Sequence, residues 1–241
     1  MKRALVFQHM NHDHPGRFLD FFAEDGIVPE MVRLWEGQAI PNLASYDFLF
    51  VLGGAQDTWQ DAEHPWMDAE KVAIREWVWD RAKPYFGVCL GHQLLCDALG
   101  GEVGLAKEAE VGVYDVSLTV DGEQHPLFSG VEANNKVMQW HWAEVKRAPQ
   151  GAKVLASSSR SAIQSVAIDN HAVGTQFHCE FTPQTMATWS SMPGYLTSLE
   201  NQNGKGAYRK LVTEATPLMP QMARMTRQIY DNLMVATGLR K

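Results

Sequence analysis

Short apolar runs separated by longer amphipathic stretches set the rhythm of the first hundred residues. Ala-Leu-Val-Phe at 4–7 is the first run; a polar loop over 8–14 follows, and Pro15 stands where a helix can begin. Phe18, Leu19, Phe21 and Phe22 then share one broad helical face, with Gly26 placed to stop it. Residues 31–34 read as a second strand. Phe-Leu-Phe-Val-Leu at 48–52 is apolar at every position, the pattern of a strand buried on both faces, and it runs straight into Gly53-Gly54. After a polar loop, Pro65-Trp66 opens a long helix in which Ala69, Ala73, Trp77 and Val78 recur at helical spacing until Lys83-Pro84 ends it. Residues 85–88 are strand-like and 94–99 helix-like. This alternation predicts a mainly parallel sheet covered by helices on both faces, with ligands collecting at the carboxyl ends of the strands. Gly53-Gly54 and Cys89 both fall at such ends.

Past Glu102 the pattern changes. Residues 111–120 alternate, 136–142 are strand-like, and 153–156 and 161–168 are short strands between polar turns, so an antiparallel or mixed extension of the sheet is expected. Residues 172–177 return to the core and deliver His178-Cys179-Glu180. Residues 183–191 and 211–234 are largely helical, separated by a Gly- and Asn-containing loop over 201–206. The expectation is one α/β domain over 1–241, with 192–241 a C-terminal helical extension packed on it. There is no internal repeat and no low-complexity linker.

Composition narrows the function classes. Apolar residues make up 45% and charged residues 20%, the balance of an ordinary globular protein. The net charge of −7 lacks a compensating basic block, which argues against nucleic acid or an anionic membrane as partner and favours small molecules or proteins. The apolar run after Met1-Lys2-Arg3 is too short for a signal peptide or a spanning helix. Three cysteines at unhelpful spacings suggest neither a disulfide framework nor a zinc site, so a reducing cytoplasm is expected.

The chemistry concentrates at Phe-Gly-Val-Cys-Leu-Gly-His-Gln, residues 86–93. Cys89 stands between Gly87 and Gly91, after a strand and before a helix, which is a nucleophile elbow with cysteine in place of serine. Such a turn aims the next N–H, that of Leu90, and the helix N-terminus at whatever the sulfur attacks. A nucleophilic thiol needs a base, and the base needs a group to fix its tautomer. His178 with Glu180 two residues later meets that need, on the expectation that both lie in an extended segment whose i and i+2 side chains share a face.

These residues carry a resemblance. Val-Leu-Gly-Gly at 51–54, Gly-Val-Cys-Leu-Gly-His-Gln at 87–93, Ala-Leu-Gly-Gly at 98–101, Gln-Trp-His-Trp at 139–142 and Gly-Thr-Gln-Phe-His-Cys-Glu at 174–180 occur in order. Across roughly residues 45–185 the chain resembles a class I (triad) glutamine amidotransferase domain of flavodoxin-like architecture. It is most similar to stand-alone proteins related to the glutaminase domain of GMP synthase. The resemblance implies that Cys89 attacks a γ-glutamyl carboxamide to form a thioester, that His178 protonates the departing amine and then activates water, and that Glu180 orients His178. It also implies that the N–H groups of Gly54 and Leu90 hold the oxyanion and that Gln93 helps bind the glutamyl group. Gly53, Trp140, His141 and Trp142 border the expected substrate site. No cofactor and no metal is called for. One departure stands out: the family usually has proline where this chain has Cys179, and its absence would loosen the Glu180 geometry.

Several competing readings bear on the same residues. His92, beside the nucleophile, is an alternative base, but it belongs to the helix start. Cys179 reads as a tolerated small residue rather than a second nucleophile. His12-Asp13-His14 has metal-ligand types without a third partner at a recognisable spacing, so a solvated loop at the mouth of the sheet is expected. Trp140 and Trp142, with Trp59 and Trp66, suggest a bulky or aromatic leaving amine packed on indole rings. The functional expectation is a cysteine hydrolase of γ-glutamyl amides. The alternatives are an ammonia-donating glutaminase subunit with a separate synthase partner, or an idle regulatory subunit; a homo-oligomer is compatible with each.

Overall fold

The computed structural model describes residues 1–240. Nine strands form one sheet: β1 (Lys2–Gln8), β2 (Ile27–Arg33), β3 (Phe48–Val51), β4 (Tyr85–Val88), β5 (Glu102–Leu118), β6 (Asn134–Arg147), β7 (Lys153–Ser157), β8 (Ser165–Ile168) and β9 (Ala172–Thr175). Their spatial order is β2-β1-β3-β4-β9-β8-β7-β5-β6. The pairs from β2 through to β9 are parallel, and those from β9 outward to β6 antiparallel. The expected parallel core with an antiparallel extension is therefore the observed architecture.

Side-chain alternation in the parallel strands builds two cores. Ala4, Val6, Phe48, Phe50, Phe86 and Val88 face one side, where they meet Phe18 and Phe22 of α1 (Phe18–Glu24). Leu5, Phe7, Leu49, Val51 and Tyr85 face the other, against Met67, Ile74 and Trp77 and against Leu94 and Leu95. The first three belong to α2 (Trp66–Arg75) and the π turn that continues it over Glu76–Asp80; the last two belong to α3 (Leu90–Ala98). This is the two-sided burial expected of an all-apolar strand.

In the parallel half of the sheet and its helices, β2, α1 and α2 depart from the sequence reading. β2 begins at Ile27, four residues early, because an edge strand needs neither full apolarity nor every N–H, and so accepts Pro29 and exposed Val28. α1 begins at Phe18 rather than near Pro15, since Gly16 takes a left-handed φ of 54° that breaks the helix. On α2 and its π-turn continuation Ala73, Trp77 and Val78 are buried as expected, but Ala69 is exposed and Met67, Glu70 and Ile74 complete the buried face.

The C-terminal region is more helical than expected. After the short helix α4 (Val120–Gln124) and α5 (Pro183–Ser190) come α6 (Pro193–Asn203), α7 (Ala207–Ala215) and α8 (Met219–Ala236), so α6 extends into the expected 201–206 loop. α5, α6 and α7 pack Trp189, Leu199 and Leu211 onto Val111, Met138 and Trp140 of the β5–β6 hairpin. α8 instead joins α1 on the parallel sheet through Ile229, Tyr230 and Leu233, so it completes the main core. Among the described residues no helix is long and apolar enough to cross a membrane.

Candidate active site

Cys89 occupies the corner between β4 and α3 with φ 52° and ψ −106°, a conformation costly for a residue bearing a Cβ. The surroundings impose it. Cys89 N–H donates to Thr175 O at 2.8 Å, Gly91 N–H to Leu52 O at 3.1 Å, and Gln93 N–H to Cys89 O at 3.1 Å. Helix and strand approach so closely that a Cβ on Gly91 would lie 2.9 Å from the Val51 carbonyl carbon and nearer still to its oxygen. The thiol is 5% exposed and lines a narrow crevice with Gly53, Gly54, Trp140, His178 and Glu180. Gln176 Nε2 donates to its sulfur at 3.7 Å.

His178 and Glu180 arrive differently from the expectation. β9 ends at Thr175, and the pair lies in a tight turn rather than an extended segment. The turn is made by Cys179 N–H donating to Phe177 O at 3.1 Å, and it is braced from three sides. His178 N–H donates to Met138 O at 2.9 Å, Arg17 N–H to Glu180 O at 3.2 Å, and Thr226 Oγ1 of α8 to Cys179 O at 3.0 Å. Arg17 also reaches Phe181 O through its guanidinium. Gly16 packs so tightly on Glu180 that a Cβ there would fall 2.8 Å from its carbonyl carbon. The turn therefore brings His178 Nδ1 to 2.6 Å from Glu180 Oε1 although the i, i+2 argument does not apply to it. Proline at 179 could not donate the bond to Phe177, so the stiffness it would supply comes from neighbouring elements.

Electrostatics assign roles within the turn. Burial alone would disfavour a charged His178, but the Glu180 carboxylate and the Cys89 sulfur override it and hold the imidazole well above its usual value. Among the described residues His178 Nε2 has no hydrogen-bond partner, and the ring shares the crevice with the Cys89 thiol. Burial pushes the Cys179 thiol up to about 12, and Thr175 Oγ1 donates to it at 3.6 Å, the setting of an inert buried thiol. Burial likewise pushes His92 down to about 3. Its ring lies against Gly174, under α3 and away from the crevice.

The remaining candidates divide around Cys89. Among the described residues the N–H groups of Gly54 and Leu90 meet no backbone carbonyl. Gly54, Gln93, Trp140, His141 and Trp142 border a cavity of about 250 Å³ that also includes Cys89. Two of these side chains are tied down: Gln93 Nε2 donates to Ala143 O and Gln176 Oε1, both at 3.0 Å, and His141 bonds Ala143 O and Glu110 Oε2, both at 2.9 Å. His141 thus braces the β5–β6 hairpin while its ring borders the cavity. Trp140 is buried against Trp189 and Tyr195 at ring distances of 5.1 and 5.4 Å, whereas Trp142 is 40% exposed. Trp66 stacks on His9 rather than on the crevice, and Trp59 is exposed.

The loop at 12–14 forms the seam between the crevice and a second, polar cavity of about 640 Å³ bordered by Gln8, Arg33, Gln184 and Thr188. Burial pushes Asp13 up to about 8, with Glu180 adding to it and His9 and His178 opposing. The sequence reading missed Asp13 as a site neighbour, and it missed Tyr195 and Trp189, which reach the crevice from α6 and α5. It also missed His9 and Glu70, which meet behind Gly53. The one signal for the last was a glutamate on the apolar face of α2.

Comparison with known proteins adds an independent line. A sequence model of glutamine amidotransferase class-I matches residues 24–189. The glutamine amidotransferase-like protein YfeJ of Salmonella typhimurium is 33% identical over 182 residues, 74% of this chain and 75% of its own. Gamma-glutamyl peptidase 3 of Arabidopsis thaliana is 27% identical over 70% of this chain and 69% of its own. GMP synthase [glutamine-hydrolyzing] of Clostridium kluyveri is 37% identical over 114 residues, 47% of this chain but 22% of its own. Among solved structures, a glutamine amidotransferase from Thermotoga maritima superposes with a TM-score of 0.86 at 26% identity, covering 96% of this chain and 97% of its own.

Proposed function

The chain belongs to the class-I glutamine amidotransferase family, and from that membership we propose that it is a cysteine hydrolase of γ-glutamyl amides acting through Cys89, His178 and Glu180. The observation that carries the reading is the crevice itself. A strained cysteine at a strand-to-helix corner shares it with an imidazole whose Nδ1 is held 2.6 Å from a carboxylate.

The steps follow from that geometry. The thiol proton resides on His178 Nε2 when Cys89 Sγ bonds to the γ-glutamyl carbonyl carbon, and the resulting oxyanion is held by the N–H groups of Gly54 and Leu90. The C–N bond then breaks as His178 returns the proton to the nitrogen, which leaves as an amine, and Cys89 carries a thioester. Water, deprotonated by His178, attacks the thioester carbon to form a second oxyanion, whose collapse breaks the C–S bond and releases glutamate while the proton on His178 restores the Cys89–His178 pair. Glu180 keeps the proton-bearing Nδ1 turned toward it throughout.

The two cavities support a division of the substrate. The 250 Å³ space beside Gln93 and Trp142 suits the glutamyl group, and the polar 640 Å³ space across the 12–14 loop suits an amine larger than ammonia. The likeness to a gamma-glutamyl peptidase points the same way. The likeness to GMP synthase supports a second reading, in which ammonia is handed to a separate synthase partner. The three free cysteines suit a reducing compartment such as the cytoplasm.

The test is a steady-state profile over glutamine, γ-glutamyl dipeptides and γ-glutamyl aryl and alkyl amides, with mass spectrometry of Cys89. Turnover of γ-glutamyl peptides or amides by the protein alone, with a thioester on Cys89 that Cys89→Ala abolishes, is expected. Glutamine hydrolysis only with an added synthase favours the second reading. No thioester with any donor refutes catalysis and leaves an idle binding subunit.

A further inference from the structure

Behind the crevice lies another histidine–carboxylate pair that the mechanism above does not use. His9, at the end of β1, is fully buried, as is Glu70 on the inner face of α2. His9 Nε2 is 2.9 Å from Glu70 Oε1, and His9 Nδ1 is 2.7 Å from the carbonyl oxygen of Gly53. The Gly53 carbonyl oxygen can only accept, so His9 Nδ1 carries a proton and donates to it, while Nε2 is held by the Glu70 carboxyl group. Burial opposes a charge on the ring, and the Coulombic and hydrogen-bonding pull of Glu70 outweighs it, raising His9 above the usual imidazole value. Trp66 stacks on the ring at 5.5 Å and holds its plane.

The carbonyl that His9 grips belongs to the peptide whose other end is the N–H of Gly54. Among the described residues no peptide bond is cis, so this N–H points away from His9 as its carbonyl points toward it. Gly53 lies against the catalytic pair: a Cβ there would be 3.4 Å from His178 Cε1 and 3.6 Å from Cys89 Cβ. We propose that His9 and Glu70 are positioning residues for the oxyanion hole, fixing the Gly53–Gly54 peptide plane so that the Gly54 N–H faces the developing oxyanion. The Nδ1–H bond to the Gly53 carbonyl also polarises that peptide and makes its N–H a stronger donor in a buried setting.

The inference rests on the hydrolase reading and is tested with a γ-glutamyl amide that the wild-type protein turns over. Losing a whole oxyanion donor costs roughly 10²–10³ in kcat, so misaligning one should cost about ten- to a hundredfold. His9→Ala and Glu70→Gln are expected to lower kcat in that range with little change in KM. His9→Asn, whose amide can still donate to Gly53, should recover part of the loss. The second readout is alkylation of Cys89 by iodoacetamide, a displacement that develops no oxyanion; it should proceed within about twofold of the wild-type rate in all three variants. Turnover by His9→Ala within about threefold of wild type, or alkylation falling in step with turnover, overturns the proposal. Wild-type protein that turns over no γ-glutamyl donor removes the hydrolase reading and this one together, whereas competent wild-type protein with unaffected variants removes only this one.

Discussion

Glu180→Gln isolates what the carboxylate charge does for His178. The glutamine keeps the size of the side chain and an oxygen able to accept from Nδ1, so the tautomer and the 2.6 Å contact can survive while the charge is lost. Both groups are buried, so solvent screens the interaction little. A hydrogen bond to a charged group contributes about 1.5–3 kcal/mol, and at about 1.4 kcal/mol per pH unit this lowers the His178 pKa by roughly one to two units. The sign follows from the direction of the effect: Glu180 raises His178, so its neutralisation lets the imidazolium lose its proton at lower pH. The alkaline limb of kcat/KM in a γ-glutamyl amide assay should therefore move to lower pH, and kcat at neutral pH should fall roughly 10- to 100-fold. Glu180→Ala should be worse than Glu180→Gln, yet cost less than Cys89→Ala or His178→Ala. A Glu180→Gln profile superimposable on wild type, with kcat within about twofold, would refute the assignment of Glu180 as the partner that charges His178.

Three further outcomes follow from the same contacts. Cys179→Ala should keep at least about half of wild-type turnover, and iodoacetamide followed by peptide mapping should modify Cys89 well before Cys179, whose thiol burial pushes up to about 12; preferential labelling of Cys179 would contradict this. Gly91→Ala should destabilise by about 1–3 kcal/mol in urea unfolding, because its Cβ meets the Val51 backbone, which is held in β3 and cannot yield as a flexible side chain would; a variant as stable as wild type would show that strand and helix can separate at this corner. Asp13 has a folded pKa raised to about 8, so stability that is complete below the ordinary carboxyl range is lost as pH rises through that value. Asp13→Asn should therefore melt higher than wild type near pH 8–9 and converge with it near pH 4, and a pH-independent difference would show that Asp13 is not buried in its charged form.

What could be read from the sequence follows from how local each signal is. The parallel strands were legible because Phe48 to Leu52 must be apolar on both faces whatever covers them, and the elbow because Gly87, Cys89 and Gly91 encode their own turn. His178 and Glu180 were legible as a pair, but for a reason the structure replaces. Their meeting depends on Gly16, Arg17 and Thr226, which are remote in sequence and have no pattern in common with the turn they brace. The error on α2 is the more instructive one. Ala69, Ala73, Trp77 and Val78 fit a helical period and the last three are buried, but a second phase through Met67, Glu70 and Ile74 is buried in place of Ala69, and hydrophobicity alone prefers the alanine to the glutamate. Burying a carboxylate on an apolar face is unfavourable unless a buried cation waits for it, so the second phase requires a partner, and no spacing rule connects Glu70 to a histidine 61 positions earlier. A lone acidic residue that completes an otherwise apolar stripe is thus informative because it violates the pattern, and on this chain following that violation inward leads through His9 to the peptide beside Cys89.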